Sequence, residues 1–329
     1  MLNFARTKIQ PPRARPGALL QRPALQQRLV HALGTMPLVL VCATAGFGKT
    51  SALTQAIDQL QTSHEGTAVA WVGCDEGDTP LQLFSCLVAA LEPFDLPWRA
   101  APESLISAAL SGTGDEAAQR KALRAMVTEL INALDAADVA HGVIVVDDLH
   151  RIDHPAVFQF LDLLLERFTP RWTMAIATRH EPPIALPRCR ARGEIAEFRL
   201  DDLRFDAAQA RTLAAQSGLD NDVADALCER TQGWPAGLQL SLRVLRGTNA
   251  TGGAYGAGGA TLAGHAALID RQVFDFLATE VLDRLPHDLR EFLITTAVLP
   301  ELTAHAAPPS PATRTPPSTS RRSNAPACS

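Results

Sequence analysis

The chain has 329 residues, 47% of them hydrophobic and 20% charged, with a net charge of −5 and a pI near 6.0. That length holds roughly two domains, the apolar content supports a sizeable core, and the mild acidity excludes a surface built to coat nucleic acid. No apolar run reaches the ~18 residues that a spanning helix needs, so no membrane partner is expected.

Charge is distributed unevenly. No acidic residue precedes Asp58, whereas Arg6, Lys8, Arg13, Arg15, Arg22, Arg28 and Lys49 all do. Pro11, Pro12 and Pro16 break this segment and it lacks serine, so residues 1–25 read as an extended basic arm, not as a transit peptide. Intramolecular docking or phosphate contact suits such an arm better than DNA. The six cysteines (42, 74, 86, 189, 228 and 328) contain no C-x-x-C pair. They read as small buried hydrophobes in a reducing compartment, which places the chain in the cytoplasm.

Residues 38–42 are an aliphatic run that predicts a buried strand, and a glycine-punctuated turn follows it. Gly48-Lys49-Thr50 then opens a helix-compatible segment over residues 51–60. This is the layout of a phosphate-binding P-loop. Gly46 and Gly48 let consecutive N–H groups turn toward phosphate oxygens, and the helix start adds partial positive charge. Ala45, Gly46, Phe47, Gly48, Lys49, Thr50 and Ser51 form the cradle, with Lys49 reaching the β/γ-phosphates and the Thr50 hydroxyl completing a Mg²⁺ shell. Ala43 stands where the strict pattern has Gly, which requires a negative φ there.

Further along, residues 67–74 predict a buried strand, 81–91 a helix and 115–136 an amphipathic helix. The run 143–146 (Val-Ile-Val-Val) predicts a strand buried on both faces, ending in Asp147-Asp148. Beside a P-loop, this pair has the form of a Walker-B motif. Asp147 would hold Mg²⁺ and Asp148 would polarise the attacking water. The alternative is that the pair caps the next helix. Residues 172–178 predict another buried strand, followed by Arg179. If that strand lies between the other two, Arg179 aims at the γ-phosphate as a sensor; otherwise it forms a surface salt bridge. A more polar strand over 194–200 closes the series.

Beyond Asp201 the period turns helical. Helices are predicted over 206–217, 220–231, 238–245, 262–285 and 286–299, with a break at 233–237 and a flexible glycine-rich excursion over 247–259. The order of strands resembles P-loop ATPases of the additional-strand type: an α/β fold with a parallel sheet flanked by helices, followed by a small helical, winged-helix-like domain. The expected organisation is an arm at 1–25, the P-loop domain at 26–204, the helical domain at 205–304 and a disordered tail at 305–329.

Several motifs together carry a more specific resemblance. They are residues 7–13 (Thr-Lys-Ile-Gln-Pro-Pro-Arg), Arg22-Pro23, residues 45–50, the Asp-Glu-Gly-Asp at 75–78, residues 145–150, Thr178-Arg179, residues 202–205 and the Gln-Gly-Trp-Pro-Ala-Gly at 232–237. In that order they resemble the nucleotide-binding part of MalT-like regulators, the large ATP-binding members of the LuxR family, within the STAND class of signal-transduction ATPases. The resemblance implies bound ATP or ADP with Mg²⁺, slow hydrolysis at most, and self-association in the ATP-bound state. It also implies that Arg22 and Pro23 flank the base on one side and Pro235 on the other. Family members continue through helical sensor repeats to a DNA-reading helix-turn-helix, and neither is expected here, so direct DNA binding by this chain is not expected either. The two other readings are an AAA+-like ATPase with sustained turnover and an inert truncated fragment. The last 25 residues carry six prolines and no acid, which reads as an out-of-frame translation of a GC-rich gene; the alternative is a genuine basic tail.

Overall fold

The computed structural model describes residues 4–13, 19–111, 115–250, 262–282, 285 and 287–297. In chain order the elements are α1 (Pro23–Thr35), β1 (Leu38–Cys42), α2 (Lys49–Ser63), β2 (Ala68–Gly73), α3 (Pro80–Leu91), α4 (Pro102–Ser111), α5 (Glu116–Ala136) and β3 (Gly142–Asp147). They continue with α6 (Pro155–Glu166), β4 (Trp172–Thr178), α7 (Leu186–Arg192), β5 (Ile195–Phe198), α8 (Leu200–Leu203), α9 (Ala207–Gln216), α10 (Asn221–Thr231) and α11 (Pro235–Ala250). Two further helices are α12 (Leu262–Glu280) and α13 (His287–Thr296). The chain divides into two compact units, Met1–Ala266 and Ala267–Ser329.

The five strands form one sheet in the order β2-β3-β4-β1-β5, and every pairing is parallel. The strand after the Asp pair, β4, does insert between β1 and β3. Every residue of β1, β3 and β4 is buried, as the continuous aliphatic runs predict for strands covered on both faces. Side chains alternate between two layers. Leu38, Leu40, Ile144, Val146, Met174 and Ile176 face α3, α5 and α6, while Val39, Val41, Val143, Val145, Ala175 and Ala177 face α1 and α2. Buried aliphatics contribute about 1.5–3 kcal/mol each, so this double layer fixes the strand ends, and with them the site.

Several elements differ from the sequence expectation. The N-terminal arm contains a short turn: Arg6–Ile9 forms a 3-10 turn against β2 and α3, between extended Ala5 and Gln10, in keeping with the intramolecular docking expected of it. Asp78 lies 5% exposed in the turn after β2, where a buried carboxylate demands a cation, and Lys8 supplies it at 2.7 Å. The polar edge strand β5 ends at Phe198, and residues 200–203 are already helical. α11 runs to Ala250, so the glycine-rich stretch begins inside a helix. Gly247 costs about 1 kcal/mol there, offset by buried Leu238, Leu242 and Leu245. Residues 251–261 and the predicted tail at 305–329 lie outside the described residues.

α9 and α10 pack on each other and on α11. Asp206 and Gln209 close a reciprocal cap at the start of α9, which is how Asp-x-x-Gln stops one element and starts the next. α12 and α13 fall within the two helical spans predicted for 262–285 and 286–299. Among the described residues no helix is long and apolar enough to cross a membrane. Five cysteines are free, four of them buried, and Cys328 lies outside the described residues.

Candidate nucleotide site

The candidate residues gather at the C-terminal ends of β1, β3 and β4, where open parallel sheets place ligands. β1 continues its pairing one residue further, Ala43 N–H donating to Thr178 C=O at 3.2 Å. Ala43 is not among the residues with positive φ, which is why Ala is tolerated at this position. The left-handed turns fall on Gly46 (φ 77°) and Gly48 (φ 74°), and α2 starts at the next residue. This gives the loop the alternating curvature of an anion-binding nest at a helix N-terminus. Phe47 is buried in the layer beneath the loop. Ser51 sits half-buried in the first turn of α2.

Lys49 is only 6% exposed, and its ammonium donates to the Thr44 carbonyl at 3.3 Å. Burial lowers its pKa, and Arg179 lowers it further, while Asp148 and Asp147 act in the opposite direction. An anionic ligand would offset the burial that lowers this pKa. The same interaction shows that Arg179, one residue past β4, lies within electrostatic reach of Lys49.

Thr50 joins the second half of the site directly. Its hydroxyl donates to both carboxylate oxygens of Asp147, at 3.1 and 3.0 Å. Asp147 is 5% exposed, and burial followed by the charge of Asp148 raises its pKa to about 6. Two adjacent carboxylates, one buried beside a hydroxyl, make an oxygen donor set that a divalent cation would relieve, so the residues fit Mg²⁺. Asp148 adopts a left-handed conformation (φ 55°), and its N–H donates to Asp147 Oδ1 at 3.0 Å. The Asp148 side chain caps no helix: α6 is capped by His154 instead. The capping alternative for the Asp pair is therefore not what the chain adopts.

The residues assigned to the base are placed differently from one another. Arg22 is 8% exposed, and its guanidinium donates to the carbonyls of Leu203 (2.9 Å), Asp202 (3.1 Å) and Arg204 (2.6 Å) while lying over the Phe205 ring. Pro23 is exposed at the first position of α1, and Pro235 is buried at the first position of α11. The turn around Pro235 sits on the P-loop itself. The Trp234 indole N–H donates to Ala45 C=O at 3.1 Å, and the Ala236 N–H donates to Gly46 C=O at 3.0 Å.

Two features escaped the sequence reading. His150 is 8% exposed with Nδ1 3.8 Å from Asp148 Oδ1, and its ring meets His180 edge-on at 6.3 Å. Its position two residues past the Asp pair was the available signal. Lys8 bridges Asp78 and Asp75, and Asp75 also meets Arg151 at 3.3 Å, which links the N-terminal segment to the residues following β3. A lone lysine carries no sequence signal for such a role.

Comparison with known proteins agrees with this geometry. A family model described as an AAA domain matches residues 34–180. The serine/threonine-protein kinase PknK of Mycobacterium tuberculosis is 32% identical over 286 residues, covering 86% of this chain and 24% of PknK. The HTH-type transcriptional regulator MalT of Klebsiella pneumoniae is 25% identical over 293 residues, covering 85% of this chain and 29% of MalT. The chain thus spans about a quarter of the length of these curated relatives. Among solved structures, the ORC1 protein of Aeropyrum pernix in complex with DNA superposes with a TM-score of 0.53 at 17% identity, covering 87% of this chain and 75% of that one, a likeness of fold. Over most of its length this chain is a relative of MalT and of part of PknK, built on a P-loop ATPase domain.

Proposed function

We propose that the chain is the nucleotide-held switch of a MalT-type regulator, of the STAND class and LuxR family, working in the cytoplasm. It binds ATP or ADP with Mg²⁺, and the occupant biases the arrangement of the helical region. The observation that carries this reading is the meeting of Thr50 with Asp147 beside buried Lys49, with Asp148 and Arg179 alongside.

The roles follow from chemistry. The backbone from Ala45 to Ser51 cradles the phosphates, and Lys49 contacts the β- and γ-phosphates as a point charge. Thr50 and Asp147 hold Mg²⁺, which when bound neutralises phosphate charge. Asp148 orients and deprotonates the water attacking the γ-phosphorus, with ADP as leaving group, and Arg179 registers the γ-phosphate. Arg22, Pro23 and Pro235 bound the base. A nucleotide shifts such an equilibrium only by its differential affinity for the two states, so slow turnover suits a switch. ATP-bound copies self-associate, and DNA is read by other parts of a complete regulator.

Calorimetry with ATP and ADP in the presence of Mg²⁺ tests the reading. Lys49→Ala should weaken both by about a hundredfold, the upper range of a charge-assisted contact. Affinity retained within about threefold of the wild type would remove the P-loop from the binding site. The AAA-domain match favours a second reading, an ATPase with sustained turnover. Multiple turnovers without any partner would select it over the switch.

A further inference from the structure

We propose that Trp234 and the Ala236 amide are positioning groups for phosphate: the start of α11 presets two peptide planes of the P-loop. The inference rests on the nucleotide reading above and concerns the same site.

The two bonds take consecutive carbonyls, Ala45 C=O by the Trp234 indole at 3.1 Å and Gly46 C=O by the Ala236 N–H at 3.0 Å. No peptide among the described residues is cis. In a planar trans peptide the C=O and N–H point in opposite directions. Holding Ala45 C=O toward Trp234 therefore aims the Gly46 N–H at the face of the loop away from α11. Holding Gly46 C=O toward Ala236 aims the Phe47 N–H the same way. These two N–H groups are among those a P-loop offers to phosphate oxygens.

The fit at the junction is close enough to fix that orientation. A Cβ on Gly46 would stand 2.6 Å from the Ala236 Cβ and 2.7 Å from the Trp234 indole nitrogen. The Trp234 ring is folded back on Gly237, where a Cβ would meet it at 2.3 Å. Behind the indole, Phe205 N–H donates to Gly233 C=O at 2.8 Å, and Arg22 holds the carbonyls of residues 202–204. The turn from Gly233 to Gly237 is thereby anchored on one side by Arg22 and Phe205 and on the other by the P-loop. A preset loop binds phosphate without reorganising its peptides, which raises affinity. By reciprocity, phosphate binding tightens the docking of α11, so occupancy of the loop reaches the helical region through the backbone and needs no contact with the base.

Trp234→Phe keeps an aromatic ring and removes the indole donor. Calorimetry on the full chain, with Mg²⁺, would compare ATP with tripolyphosphate, which has no base. The expected result is weakening of both by a similar factor of about two- to tenfold, the scale of one hydrogen bond. Weaker ATP binding with unchanged tripolyphosphate binding would mean that Trp234 serves the base, and would overturn the proposal; so would no change in either. If the wild type binds neither probe, the nucleotide reading itself fails. Should the variant not fold, hydrogen exchange on the wild type decides: tripolyphosphate should slow exchange of the Ala236 amide, and an unaltered rate there would refute the coupling.

Discussion

Asp147 shows how one residue can be costly for the empty fold and useful for the site. Its carboxyl is 5% exposed, and burial, then Asp148, lifts its pKa from the usual 3.8 to about 6. A folded-state pKa above the unfolded one means that the folded protein holds the extra proton between those values. The stability this confers is fully present below about pH 4 and is lost as pH rises through about 6. Asp147→Asn keeps an acceptor for the Thr50 hydroxyl and the Asp148 N–H but carries no charge. Nucleotide-free Asp147→Asn should therefore be more stable than wild type at pH 7.5 by on the order of 3 kcal/mol, the worth of such a shift, and equal to it near pH 4. The same variant should lose Mg²⁺-dependent stabilisation by ATP. Urea titrations at the two pH values check this, and a gap independent of pH would show that Asp147 carries no ionisation strain. On the proposed reading, a bound cation would relieve the cost that this carboxylate imposes on the empty protein.

At the scale of elements, the short 3-10 turn Arg6–Ile9 is held to β2 and α3 by a buried ion pair together with the packing of Phe4 and Ile9 on the core. Lys8 is 10% exposed and Asp78 5%, with Asp75 completing the cluster. Breaking a pair this buried leaves an uncompensated charge, so Lys8→Met should cost about 3 kcal/mol, whereas Lys8→Met combined with Asp78→Leu should cost less than the single change. Equilibrium unfolding of both variants measures it, and simple additivity would mean that the two side chains do not depend on each other. This element also marks where sequence reading runs out. The runs at 38–42, 143–146 and 172–178 announce themselves because strands buried on both faces must be continuously apolar. Gly46, Gly48 and the Asp pair were equally legible, since turn geometry and paired carboxylates have compositional signatures. Lys8 had none: its acidic partners lie 67 and 70 residues away, and an isolated lysine reads as solvated. Trp234 was visible, but its acceptor is a backbone carbonyl 189 residues distant, and carbonyls leave no trace in sequence.

For the molecule as a whole, what matters is which residues the site draws on. Arg22, the P-loop, Asp147, Asp148, Arg179, the carbonyls of 202–204 and the Gly233–Gly237 turn all fall within the first compact unit, Met1–Ala266. Each connection among them runs between elements of that unit: the sheet ends, α2, and the start of α11. A chain stopped after residue 266 should consequently bind ADP with Mg²⁺ within about threefold of the full-length affinity. It should also unfold in one transition whose midpoint rises with ADP, as expected of a mass-action stabilisation of about 2.7 kcal/mol at a hundredfold excess over Kd. Calorimetry and thermal melts of the two chains compare them directly. If the shortened chain binds nucleotide as the full one does, residues past 266 neither form the site nor are coupled to it by more than about threefold, and the switching response lies within the first unit. If it folds but loses ADP, nucleotide binding depends on residues past 266, and the assignment of the whole site to the first unit fails.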